Sequence, residues 1–380
     1  MRSVKRILAA ALTAVLVLSA AGCGAAGGAG GSGDSLKIGL ATPLTGASAE
    51  DGKAIQEGVN LAVKQINDQG GIDGKTVEVV AEDDKGDPSE AATVANKLAQ
   101  DESILALVGD FNSSCTLAGA PIYNDAGIVQ ISPGSSAEAV TDAGDYTFRT
   151  ITTDAVQGQY LALWCVTDLG YKKIAILFEN DDYGKGLADV AQRETEGLGA
   201  QVVVREAYEV NQTDFSTVLT KVAKAQPDVL IIGGLYNETA LIAKQRAKAG
   251  IGDLPIMGVD AIYSDALVDL GGKAVEGIKL TAYFSDSSES QVTQAFIKAY
   301  TDEYGKAPGT YAAYAYDAAL IIMDGIKNAG ADRAAIREYI AGLQDFEGAT
   351  GTASFDKNGD VIKEPLRMEI KDGKFTVVEK

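Results

Sequence analysis

Histidine is absent from all 380 residues, which removes the commonest general base and the commonest metal ligand. Cysteine occurs three times, and no cysteine cluster at metal-binding spacing can be assembled. Positive charge is scarce: 33 Lys and Arg stand against 53 Asp and Glu, a net charge of −20. Such a surface repels nucleic acid and anionic lipid, and basic stretches long enough to track phosphates are missing. The acidic excess reads as solubility. Long apolar runs are also lacking: the one at Ile7–Leu18 is too short to span a bilayer, and no later run reaches that length. There is no nucleophile elbow, P-loop or dinucleotide fingerprint. Acid pairs such as Asp83-Asp84 and Asp181-Asp182 read as solvated turns. No enzyme, no cofactor, no metal site and no nucleic-acid partner is therefore expected.

What is present begins with an export signal. Arg2, Lys5 and Arg6 precede the apolar run, and Ala20-Ala21-Gly22 leads into Cys23. That order is a basic region, an apolar region and small residues at a cleavage site. A cysteine at that point resembles the lipobox of bacterial lipoproteins, with Ala20 where Leu is usual. Residues 1–22 are read as a lipoprotein signal peptide and Cys23 as the lipidated first residue of the mature chain. Residues 23–33, Gly-rich, form a tether. The protein is expected outside the cytoplasm, held to the outer face of the membrane through its lipid alone. Cys115 and Cys165 remain, readable either as a disulfide or as two buried thiols.

The rest of the chain exceeds what one core usually holds, so two lobes are expected. Short apolar strands alternate with helical stretches from Leu36 onward, the pattern of a doubly wound α/β sheet. The alternation restarts after the β-prone stretch Tyr146–Thr153. Three helical stretches follow from Gln291 without strands between them and are expected on the first lobe's sheet. The last segment ends in two β-prone pieces joined by Lys371-Asp372-Gly373-Lys374, a hairpin signal. The lobes are assigned as residues 34–153 with 285–362, and 154–284 with 363–380, so three strands cross a hinge.

Two turns stand out. The strand Ile104–Val108 ends in Gly109-Asp110-Phe111, and Asn112-Ser113-Ser114 supplies helix-capping residue types. The next strand ends in Pro133-Gly134-Ser135-Ser136. Singly, each would be a cap or a turn. Together, at the carboxyl ends of neighbouring parallel strands, their hydroxyls and helix-end amides suit a small anion such as a carboxylate.

In order and spacing, Ile38–Gly46 (IGLATPLTG), Gly58–Gly74, Glu82–Pro88, Gly109–Thr116, Phe148-Arg149-Thr150, Tyr183-Gly184, Met257-Gly258 and Tyr316-Asp317-Ala318 resemble the leucine/isoleucine/valine-binding proteins. These are type I periplasmic binding proteins that serve ABC importers. The resemblance implies two doubly wound α/β lobes on a three-strand hinge, and a monomer that binds an amino acid of the branched-chain or aliphatic type and hands it to a membrane permease. It leaves open an amide, urea or an aromatic acid as ligand, and a sensor role. It implies Ser113 and Ser136, with their amides, as donors to the ligand carboxylate, and the Gly134 carbonyl as an acceptor from its ammonium. Tyr183 would cover the ligand on closure, Asp260 would pair with the ammonium, and Phe111 would form a wall, with Asn112 and Ser135 in the same turns. Leu235 or its neighbour Tyr236 would line the second lobe. The chain departs from the family where Gly86 and Asn112 replace a disulfide, where Asp51 replaces an aromatic at the cleft mouth, and where Ala312 replaces an apolar wall residue. An acid and a wider wall admit a larger, polar or cationic side chain.

Overall fold

The structure is a computed structural model that describes residues 35–378. The expected signal peptide, tether and lipidation site at Cys23 lie outside the described residues. The first part of the chain runs β1 (Leu36–Thr42), α1 (Ala49–Asp68), β2 (Val77–Asp83), α2 (Pro88–Gln100), β3 (Ile104–Val108), α3 (Ser113–Asp125), β4 (Val129–Ser132), β5 (Thr147–Arg149). All five residues of β3 are buried, whereas in β2 only Val77 is buried and Glu78 and Ala81 are exposed. A near-continuous apolar run belongs to a central parallel strand covered on both faces, and a strand with one buried residue to an edge. The sheet order follows suit, β2-β1-β3-β4-β5, all parallel.

A second sheet repeats the scheme with α4 (Asp154–Ala162), β6 (Lys173–Glu179), α5 (Asp182–Gly197), β7 (Gln201–Tyr208), α6 (Ser216–Ala225), β8 (Val229–Gly233), α7 (Tyr236–Gln245), β9 (Ile256–Gly258), α8 (Asp265–Gly271) and β10 (Lys279–Ala282). The chain then forms α9 (Gln291–Tyr304), α10 (Thr310–Ala329), α11 (Arg333–Ala341), β11 (Phe346–Gly348), β12 (Gly351–Ala353), β13 (Leu366–Lys371) and β14 (Lys374–Val377). The last two strands close the second sheet, ordered β14-β13-β10-β9-β8-β6-β7. The polypeptide thus passes between the sheets three times: after β5, after β10 and before β13.

Residues of α10 join those of α1 and the first sheet in one core, as expected of the strandless helices. The close approach of α1 to α10 depends on Gly58, where a Cβ would lie 2.2 Å from the Ala312 carbonyl oxygen. The Ala312 backbone thus packs against α1, and its side chain is buried in the same core. At the β13–β14 turn Asp372 and Gly373 have φ of 53° and 72°, the left-handed pair such hairpins require. Glu276 accepts both of their amides, at 3.0 and 2.6 Å.

Several elements escaped sequence reading. The β-prone stretch around Tyr146–Thr153 yields only three strand residues, because from Thr150 onward the chain is leaving the sheet. The hairpin β11–β12 has too little periodicity to register. Residues Leu163–Asp168 continue α4 as π-helical turns. Both Cys115 and Cys165 are free, buried thiols. Where the resemblance places a disulfide, a Cβ on Gly86 would lie 3.1 Å from Asn112 Oδ1, so the two positions adjoin without being bridged.

Candidate ligand-binding site

In both sheets the chain steps outward from a central strand and then back over it: from β1 to β2 and back to β3, and from β6 to β7 and back to β8. The crevice at such a reversal, beyond the carboxyl ends of the strands, is where open α/β sheets leave room for ligands. Between the two crevices lies a narrow cavity lined from both halves, the place where a ligand would be enclosed. The first half contributes Phe111, Asn112 and Ser113 after β3, Gly134 and Ser136 after β4, and Tyr311 at the start of α10. The second contributes Asp181 and Tyr183 after β6, Leu235 after β8, and Asp260 and Ala261 after β9. Ile151, on the first crossing between sheets, lies between them.

One end of the cavity suits an anion. Asn112 caps α3 in an extended conformation but gives no side-chain hydrogen bond to the first turn, and no acid occupies that turn. The positive end of the helix therefore faces the cavity. Ser113 is buried and its Oγ accepts the Ala137 amide at 3.3 Å, which ties the first turn to the second. The Ser136 carbonyl accepts the Asp154 amide at 2.7 Å.

Ser135 does not face the cavity. Its Oγ lies 2.7 Å from Thr116 Oγ1 and donates to the Phe111 carbonyl at 3.0 Å, so its hydroxyl is spent in joining the two turns from beneath. A buried hydroxyl takes the nearest acceptor, and here that is backbone. Arg149 of β5 fixes the same turn: fully buried, it donates to the Ser135 and Ala137 carbonyls at 3.1 and 2.9 Å, and to Asp360 Oδ1 at 2.5 Å. Its fourth partner is the Thr141 hydroxyl.

The other end is acidic. Asp260 sits in a single helical turn after β9, 1% exposed, and its Oδ2 accepts the Tyr314 hydroxyl of α10 at 3.1 Å. Burial pushes its carboxyl up to about 7, against the pull of Tyr314 and Gln157. Asp154, directly behind Ser136, is likewise raised to about 8, chiefly by burial and further by Asp260, with Ser136 and Arg149 opposing. Among the described residues, no Lys or Arg lines the cavity.

Walls between the two ends are apolar. Phe111 and Tyr311 meet edge to face, centroids 4.8 Å apart, opposite Leu235 and Ala261. Leu235, not Tyr236, takes the lining position, because Tyr236 begins α7 and turns into the second lobe's core. Tyr183 covers the cavity from the second residue of α5, whose cap Asp181 accepts the Gly184 amide at 2.7 Å. The lobes touch across the cleft, with the Asp182 amide donating to Ser114 Oγ at 3.4 Å. Asp51 lies outside the central cavity, in an adjoining cleft that shares Tyr311 with it. Tyr311 and Tyr314 were not legible as site residues: one helical turn apart on α10, they read as core.

With this geometry in place, a family model described as periplasmic binding protein matches residues 35–374. The chain belongs to the periplasmic binding protein family. The Leu/Ile/Val-binding protein homolog 1 of Brucella abortus is 32% identical to this binding protein over 349 residues, 90% of this chain and 93% of the relative. The leucine-, isoleucine-, valine-, threonine- and alanine-binding protein of Pseudomonas aeruginosa is 32% identical over 91% of this chain and 90% of its own length. Among solved structures, the branched-chain amino acid substrate-binding protein LivJ of Streptococcus pneumoniae, in complex with isoleucine, aligns with a TM-score of 0.85 at 33% identity, over 90% of this chain and 99% of LivJ. The fold of this binding protein is thus the type I periplasmic binding protein fold, in the substrate-binding branch associated with ABC transporters.

Gly134 offers a local test of the site. A Cβ there would sit 2.4 Å from Phe111 Cδ2 and 2.8 Å from the Phe111 carbonyl oxygen. Gly134→Ala must push Phe111 toward the cavity, and ligand affinity is expected to fall about tenfold, in keeping with the cost of overpacking a filled site. Calorimetry on the variant checks this; unchanged affinity would place the ligand away from Phe111.

Proposed function

We propose that this protein captures an α-amino acid with an aliphatic stem outside the cytoplasm and delivers it to an ABC permease. One observation carries the reading: the α3 start, free of a side-chain cap, and Ser136 on one lobe line the same cavity as Asp260 on the other, with no Lys or Arg among its described lining residues. A zwitterion matches that polarity, with its carboxylate on the amides and hydroxyls of Ser113 and Ser136 and its ammonium on the Gly134 carbonyl and Asp260. Charge-assisted hydrogen bonds in a dry cleft are the strong ones. The relatives named for leucine, isoleucine and valine support the same ligand class. Closure brings Tyr183 and Asp260 onto a ligand first held by the other lobe, so binding shifts the population toward the closed form. The closed form then docks on the permease. Cys23, acylated, would hold the protein as a monomer near that permease.

The headgroup assignment is tested by calorimetry on a chain lacking residues 1–23. Free aliphatic α-amino acids are expected to bind, while the same molecules without the amine, or with the carboxylate amidated, bind at least 100-fold more weakly, since each leaves buried polar groups unpaired. Binding of amides or of simple carboxylic acids in preference to every α-amino acid would overturn the zwitterion reading.

A further inference from the structure

Resting on that reading, one buried acid is left over. Asp51, in the first turn of α1, is 6% exposed, and its Oδ2 has no hydrogen-bond partner. Burial and the like charge of Glu50 act on it, and no cation offsets them. Glu50, exposed on the same turn, already supplies the negative charge that a helix start favours, so the helix does not account for Asp51. Of the two lysines in the same cleft, Lys306 is engaged by Glu57 at 2.9 Å, and neither it nor Lys374 acts on Asp51. A carboxylate oxygen buried without a partner costs stability that an apolar residue would not. Its retention is explained when the missing partner arrives with the ligand.

The position supports this. Tyr311 lines the central cavity on one side and the cleft containing Asp51 on the other, and it feels the negative charge of both Asp260 and Asp51. A stem that leaves Asp260 and passes Tyr311 would enter the adjoining cleft, where Asp51 lies. The geometry points to an α-amino acid with a linear aliphatic stem and a terminal amine, the lysine or ornithine type, with Asp51 as the residue that selects the side-chain cation. Asp260 holds the common headgroup, Phe111 and Leu235 hold the stem, and Asp51 reads the end.

The test compares lysine and ornithine with norleucine, which keeps a linear stem and lacks the terminal amine, and with leucine. Binding is measured by calorimetry to the wild type, Asp51→Asn and Asp51→Leu. The wild type is expected to bind lysine or ornithine at least tenfold more tightly than norleucine. Asp51→Asn removes that advantage, and Asp51→Leu reverses it; norleucine binding to both variants shows that they are folded. Equal or tighter binding of norleucine or leucine by the wild type overturns the role of Asp51 and leaves the amino-acid reading intact, as does an advantage for lysine that survives Asp51→Leu. Failure of all four to bind overturns the amino-acid reading, and this inference with it.

Discussion

Asp260→Ala is expected to weaken ligand binding by about 2–5 kcal/mol, roughly 30-fold or more, because it leaves an ammonium in a dry cleft without its counter-charge. The free protein should remain folded, since the substitution removes a group whose burial is costly. The pH dependence carries the same signature. Burial holds the Asp260 carboxyl up near 7 in the empty cleft, so below that pH it keeps a proton that the ammonium must displace. Affinity should therefore fall by roughly tenfold per pH unit below 7 and level off above it. For stability the sign is the reverse. Between the ordinary carboxyl range and pH 7 the empty folded protein binds a proton that the unfolded chain has lost, so stability declines as pH rises through that window. Asp154 and Asp51 also titrate high, near 8 and 7, and because Asp260 is one of the groups that raise Asp154, the difference between wild type and Asp260→Ala reports the two together. Affinity of Asp260→Ala within twofold of wild type would remove this residue from the ligand.

Arg149→Met should have the larger effect on the fold itself. The guanidinium is 1% exposed and serves Asp360, Thr141 and two carbonyls of the turn that carries Ser136. Removing one member of a buried ion pair leaves the other uncompensated, at a cost of about 3–5 kcal/mol. The urea midpoint should drop accordingly with an unchanged slope. Ligand affinity should fall as well, because residues 135–137 lose their anchor. A midpoint change worth less than about 1 kcal/mol would mean that the turn holds its shape through Ser135 and through Ser132, whose Oγ accepts the Ser135 amide at 2.9 Å and donates to the Asp110 carbonyl at 2.6 Å.

How much was legible beforehand follows from which forces are local. Strands such as β3 and β8 are buried on both faces of a parallel sheet, so each appears as an unbroken apolar run bounded by turn residues. Asp87 and Asp181 cap α2 and α5 through hydrogen bonds to amides two and three residues on, and such short-range chemistry shows in the order of residues. The Asp372-Gly373 turn belongs to the same class. The turns that carry Ser113, Gly134 and Ser136 were visible in the residue order, as polar stretches just past parallel strands, whereas Tyr183 and Asp260 entered through the resemblance.

The amino-acid order by itself determined the α/β alternation, its repetition in two lobes, the carboxyl-end turns, and the absence of the groups that histidine chemistry would need. Only the tertiary structure decided which members of those turns face the cleft. It turned Ser135 inward to backbone acceptors, gave the lining position to Leu235 and not Tyr236, brought Tyr311 into the cavity wall, and left one buried oxygen of Asp51 without a partner. The physical reason is that direction and burial depend on contacts between residues far apart in the chain, such as Tyr314 with Asp260 and Arg149 with Asp360. No periodicity or spacing encodes such contacts until the two sheets have closed on each other.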